Sequence, residues 1–188
     1  MNRRSAVVFI VILVVAVITS AQPHPVNVRD LVAMQRIGAP RPSPDGSRVA
    51  FVVTTMDLEA NKGGRDIWVA AIDGSGAKRL TTDAANDWSP RWQSDGSLYF
   101  MSSRSGSPQV WRWTFAEGAA SQVTDLPLDV GELAVGPLGK ALYLGLSVFP
   151  DCDDSIPCTV ERLEARAADK ASGMIFDQVF VRHWDTWK

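Results

Sequence analysis

The chain has 188 residues, with 19 basic side chains against 21 acidic ones and only two histidines, for a net charge of −2. That acidic balance, without a basic stripe interleaved with aromatics, argues against nucleic acid as a partner. No Walker or dinucleotide-type glycine pattern follows a strand and opens a helix, so no phosphate-bearing cofactor, and no cofactor of any kind, is expected.

Residues 1–21 read as a secretory signal peptide. Arg3 and Arg4 form the positive n-region, Ala6 to Ile18 the apolar h-region, and Thr19-Ser20-Ala21 a small-residue cleavage site ahead of Gln22. The apolar run is short for a spanning helix, which needs ~20 residues, so the expectation is export to the periplasm or beyond, with no membrane partner after cleavage. Cleavage removes two basic residues, leaving 17 against 21 acidic ones and a net charge of −4.

Residues 22–41 are expected to be a Pro-containing lead with one short helix. Asn27 as N-cap, Asp30 in the first turn, and Val28, Leu31 and Val32 on one face predict that helix over Val28 to Arg36, ended by Gly38 and Pro40. No chemistry is assigned to it.

From Pro42 the pattern turns to β. Ser43-Pro44-Asp45-Gly46 precedes the apolar run Val49 to Val53, followed by Asp66-Ile67-Trp68-Val69 and then Arg79-Leu80-Thr81. The same order recurs as Ser94-Asp95-Gly96, Leu98 to Met101, Gln109-Val110-Trp111 and Gln122-Val123-Thr124. A strand-rich period of roughly 40 to 50 residues predicts a β-propeller, whose blades bury their faces against one another. In Asp45-Gly46, Asp95-Gly96 and Asp73-Gly74-Ser75-Gly76, glycine supplies a positive φ and aspartate bonds its own backbone, so these aspartates read as structural. Trp68 and Trp111 fall at equivalent places, as inter-blade packing requires; Trp88, Trp92 and Trp113 are open to either packing or ligand stacking.

A third, degenerate unit runs from Glu132 to Val135, through the turn Gly136-Pro137-Leu138-Gly139, to the strand Ala141 to Leu146. Cys152 and Cys158 follow, in Cys-Asp-Asp-Ser-Ile-Pro-Cys. Behind an export signal this predicts a local disulfide closing an acidic loop. The gap is wider than common zinc spacings, and Asp151, Asp153 and Asp154 do not follow an EF-hand pattern, so no metal site is expected. Val160, Leu163 and Ala167 predict a helix over Thr159 to Ala171, a helical insertion on one rim of the propeller. Phe176 to Trp184 then returns to apolar and aromatic character.

The expected fold class is therefore all-β: a partial propeller over 42–188, with a short N-terminal helix and a helical insertion. The mature ~167 residues at roughly 45 per blade make about three to four blades, short of a closed ring. No G-x-S-x-G elbow contains Ser43, Ser75, Ser94, Ser102, Ser103, Ser105 or Ser107, and only His24 and His183 could serve as base, so no catalytic residue is assigned. His183 reads as either a hydrogen-bonded structural histidine or a contact on the substrate rim.

The leader, the N-terminal helix, Pro40 with Ser43-Pro44-Asp45-Gly46, the Asp66-Ile67-Trp68 strand, the Cys152 to Cys158 loop with its helix, and the run Val181 to Trp187 together resemble the N-terminal propeller of the secreted S9 (prolyl oligopeptidase) serine peptidases, in the bacterial dipeptidyl peptidase 5 and acylaminoacyl-peptidase-like branch. The resemblance covers essentially the whole mature chain. The expected propeller is TolB/WD40-like, and its Ser-Pro-Asp-Gly repeat is shared with TolB-type propellers, whereas Arg182-His183-Trp184-Asp185-Thr186-Trp187 after a cysteine loop is more specific.

The family implies a propeller capping a C-terminal α/β-hydrolase domain, which is expected to be absent from this chain together with its Ser-Asp-His triad. The implied role is to gate and position short peptide substrates without supplying a reacting group. The alternative is a stand-alone TolB-like periplasmic propeller acting as a protein-binding module. Acidic groups hold the substrate amine in dipeptidyl peptidases, and Asp151, Glu161 and Asp185, with His183, are the corresponding substrate-binding candidates.

Overall fold

A computed structural model describes residues 25–136 and 139–170, together with the backbone of 182–183 and 186–187. Asn27 opens helix α1 (Val28–Ala33) through a reciprocal cap: its side chain accepts from the backbone N–H groups of Arg29 and Asp30, and Asp30 accepts from the Asn27 N–H at 2.8 Å. The helix is shorter than its sequence pattern predicts. Met34 is already extended, and Arg36, expected at the helix end, belongs to a strand.

That strand, β1 (Arg36–Pro42), starts a four-stranded antiparallel meander with β2 (Arg48–Asp57), β3 (Lys62–Ala71) and β4 (Lys78–Arg79). A second meander repeats it as β5 (Asp87–Trp92), β6 (Leu98–Ser102), β7 (Gln109–Thr114) and β8 (Ala119–Gln122). The third unit contributes a pair, β9 (Val130–Val135) with β10 (Leu142–Leu146), and β11 (Arg182–His183) pairs with β12 (Thr186–Trp187). Among the described residues the sheets do not close into a ring.

The repeat extends to single hydrogen bonds. Gly46 N donates to Ser43 O, Gly96 N to Gln93 O and Gly139 N to Gly136 O, at 2.9, 3.0 and 3.0 Å. On the outer side, Thr81 Oγ1 accepts from Ile67 N at 3.0 Å, and Thr124 Oγ1 accepts from Val110 N at 2.9 Å. In each blade a threonine hydroxyl satisfies a strand donor where the short fourth strand has ended.

Each blade also has an inner strand before its Asp-Gly turn, β1 and β5, which the sequence pattern does not reveal. Both strands are bulged, with register shifts between Gly38 and Arg41 and between Trp88 and Arg91. Pro40 and Pro90 sit within the bulges, where proline costs no ladder bond. A strand interrupted in this way shows no alternation.

The core lies between sheets rather than within one. Ala50 and Val52 of β2 and Ile67 and Val69 of β3 meet Leu98 and Phe100 of β6. The opposite face of the second sheet offers Met101 and Val110 to Val130 and Leu133 of the third unit. Side chains alternate along strands, so Trp111 points into the first of these cores, while Trp68, opposite Phe51, faces away from the second sheet.

The three open tryptophans all take part in packing, and Trp92 also lines a cavity at the inner strands. Trp88, Trp92 and Trp113 all line the interface of the first two sheets. Trp92 stacks on Phe115 at 5.7 Å and donates Nε1 to the Arg41 carbonyl across the blade boundary at 2.8 Å. The Arg48 guanidinium lies 4.3 Å from the Phe115 ring centre, completing a cation–aromatic stack.

Candidate functional site

The helical insertion carries most of the side chains that the sequence singles out. After β10 the chain makes a 3-10 turn, Pro150–Cys152, then helix α2 (Ile156–Ala168). Ser155 caps the helix by accepting from Cys158 N, and Pro157 sits in the first turn where it costs no hydrogen bond, so α2 begins ahead of the predicted Thr159. Asp169 ends it, short of Ala171. Cys152 and Cys158 are joined as a disulfide with their Cα atoms 5.6 Å apart, tying the turn to the first helical turn. Thr159 is 1% exposed, and its hydroxyl accepts from Phe149 N at 3.3 Å.

Between the insertion and the third unit lies a mainly apolar cavity of about 430 Å³, lined by Pro127, Leu128, Asp129, Phe149, Thr159 and Leu163 among others. Asp151 stands at the rim of the insertion with its carboxylate held by Arg162, whose guanidinium lies 5.0 Å from the Phe149 ring centre. Glu161 is exposed on α2. The insertion therefore carries both Asp151, on the 3-10 turn, and Glu161, on α2. His183 lies on β11, in register with Thr186 of β12, and Asp185 lies outside the described residues. Among the described residues, no three His, Cys, Asp or Glu side chains converge as ligands for a metal ion.

The turn aspartates are occupied by their own loops. Asp45 is pushed down to about 2, chiefly by the Ser43 hydroxyl and then by the backbone and side chain of Ser47. Bonds from Ser75 and Ser97 lower Asp73 and Asp95 in the same way, and Arg112 adds an ion pair to Asp95 at 2.7 Å.

A second cavity of about 430 Å³ opens at the inner strands, lined by Arg41, Pro42, Pro44, Arg91, Trp92 and Ala134 among others. Arg91 is half-buried. Burial pulls its guanidinium below the ordinary arginine value, and the charge of Arg41 adds to that, while Glu132 opposes. Neither Arg41 nor Arg91 stands out singly in the sequence. The signal that finds them is a repeat within the repeat: Ala39-Pro40-Arg41 ahead of the first turn and Ser89-Pro90-Arg91 ahead of the second.

Residues 12–141 match the family described as the TolB beta propeller domain, PD40. Dipeptidyl-peptidase 5 of Porphyromonas gingivalis is 25% identical over 166 residues, which is 83% of this chain and 22% of that protein. The Tol-Pal system protein TolB of Anaeromyxobacter dehalogenans is 50% identical over 50 residues, 27% of this chain and 10% of that protein. Among solved structures, the apo form of the AtxE2 isopeptidase matches with a TM-score of 0.51 and 25% identity, covering 58% of this chain and 21% of that one. The chain thus spans about a fifth of the length of the curated peptidases it matches.

Proposed function

The chain belongs to the TolB beta propeller domain family, and from that premise we propose that it is the propeller portion of an exported serine peptidase of the dipeptidyl or acylaminoacyl type. It is homologous both to the propeller region of S9 peptidases and to TolB. In this reading the blades gate and position short peptides, and the reacting serine, histidine and aspartate lie in a hydrolase domain elsewhere in the full protein. Such a propeller contributes through orientation and exclusion of water rather than through a reacting group. The observation that carries the reading is breadth: similarity to the dipeptidyl peptidase extends over most of the chain, and similarity to TolB over about a quarter of it.

Within this proposal residues 1–21 direct export, and Asp151 and Glu161 on the insertion, with His183 and Asp185, are the side chains offered to substrate. Since Asp151 already holds Arg162, Glu161 is the freer acid to receive a peptide amine. The test is the reading frame beyond Lys188. Further blades followed by a strand–G-x-S-x-G–helix elbow, and later an aspartate and a histidine, support the peptidase reading. A frame that ends in blades alone replaces it with the TolB-like binding module.

A further inference from the structure

Arg41 and Arg91 stand at the same step of successive blades. Each follows a proline, and each proline follows a non-glycine residue in the left-handed region, Ala39 at φ 50° and Ser89 at φ 52°. A side chain is strained there, and the strain recurs in both bulges immediately before the arginine. Bulges of this kind turn a side chain out of the ladder's alternation and re-aim it. Here both arginines end up lining one cavity, walled by Pro42, Pro44, Trp92 and Ala134.

Other arginines of the propeller have evident partners. Arg79, Arg104 and Arg112 hold Asp66, Asp87 and Asp95 at 2.7 to 2.8 Å, and Arg48 and Arg65 lie over aromatic rings. Arg91 donates to the Pro90 carbonyl at 2.9 Å, and neither Arg41 nor Arg91 forms an ion pair with a described carboxylate. Instead they face each other's charge, with Arg91 half-buried, so that burial and Arg41 both disfavour the Arg91 cation. A bound anion relieves both effects, and a planar pair of oxygens fits the guanidinium fork.

We propose that Arg41 and Arg91 form an anion site on the inner strands that takes the carboxylate of a short peptide. This rests on the peptide-handling reading above. Two features favour a carboxylate over a phosphate dianion: Glu132, whose negative charge reaches Arg91, repels the more highly charged ligand, and the Trp92 and proline walls supply apolar surface for a peptide's own side chains.

The experiment is calorimetric titration of the chain with N-acetyl-trialanine as the free acid, with the same peptide as its C-terminal amide, and separately with inorganic phosphate. The free acid is expected to bind at least tenfold more tightly than the amide. Arg41→Gln, at an exposed position, and Arg91→Gln are each expected to abolish that preference, with cooperative unfolding checked in both. Equal binding of acid and amide, unchanged in Arg41→Gln, overturns the site and leaves the peptide-handling reading standing. Binding of phosphate through Arg41 with no binding of either peptide overturns the carboxylate assignment, while the peptide-handling reading stands or falls with the reading frame beyond Lys188.

Discussion

The first two blades and the third unit with its insertion are held together by different physics. Between the first two sheets, Ile67, Leu98 and Phe100 have no exposed surface, and four tryptophans close the edges of that core. In the third unit β9 buries Val130 and Leu133 against the second sheet, but the side chains of β10 beyond it alternate between half-buried and exposed, and α2 buries only Thr159. There a disulfide, a serine cap and an ion pair fix the geometry. A blade is stable in proportion to the neighbours that cover its faces. The well-covered pair relies on apolar area, and the sparsely covered insertion on cross-links.

The largest effect is expected where the contrast is sharpest. Phe100→Ala empties the centre of the first core, and truncating a buried Phe costs roughly 3–5 kcal/mol. Urea unfolding followed by tryptophan emission should show that loss as a single transition, because Trp88, Trp92, Trp111 and Trp113 all pack on the same cluster. A loss under about 1 kcal/mol would mean that the two sheets do not share a core.

Next in size is the cross-link. Cys152→Ser opens a short loop, and by loop entropy this costs about 2 kcal/mol. The expected damage is local: proteolytic cleavage should appear in the insertion while the tryptophan-reported transition stays nearly in place. If that transition moves as far as it does in Phe100→Ala, the insertion is part of the main cooperative unit and the contrast fails.

How much of this was legible in the sequence follows the same division. The Asp-Gly turns and the strands after them could be read because glycine at positive φ and alternating apolar residues leave a local signal, and the structure places Asp45-Gly46 and Asp95-Gly96 in matching turns. The inner strands could not. Ala39-Pro40 and Ser89-Pro90 break the alternation that marks a strand, and the same bulges that hide β1 and β5 also hide Arg41 and Arg91. Nor could local pattern decide between packing and ligand stacking for Trp92, whose hydrogen-bond partner is the Arg41 carbonyl of the preceding blade. The bounds of α2 differ from the pattern for a smaller reason, since the Ser155 cap and Pro157 start the helix at Ile156, ahead of the apolar spacing of Val160, Leu163 and Ala167.

The smallest effect concerns the turns themselves, where the third unit lacks the acid that the first two share. Gly139 closes its turn on Gly136 without an aspartate, at φ 65°, and a Cβ there would lie 1.7 Å from the Gln93 side chain, which donates to the Gly139 carbonyl. In the first turn Asp45 is held at about 2, below its ordinary 3.8, chiefly by the Ser43 hydroxyl, and Asp95 is lowered by Ser97. A carboxyl whose folded pKa lies below its unfolded one stabilises the fold fully above the unfolded value, and that contribution is lost as pH falls through the folded value. Acid should therefore loosen the first two turns and leave the third unaffected. In an NMR titration from pH 5 downward, the Ser47 and Ser97 amides, which donate to Asp45 and Asp95, should shift, Ser47 with a midpoint near 2, while the Gly139 amide holds still. A Ser47 midpoint at the ordinary value would remove the Ser43 hydroxyl as the cause, and a Gly139 shift with the same midpoint would show that the three turns respond as one body.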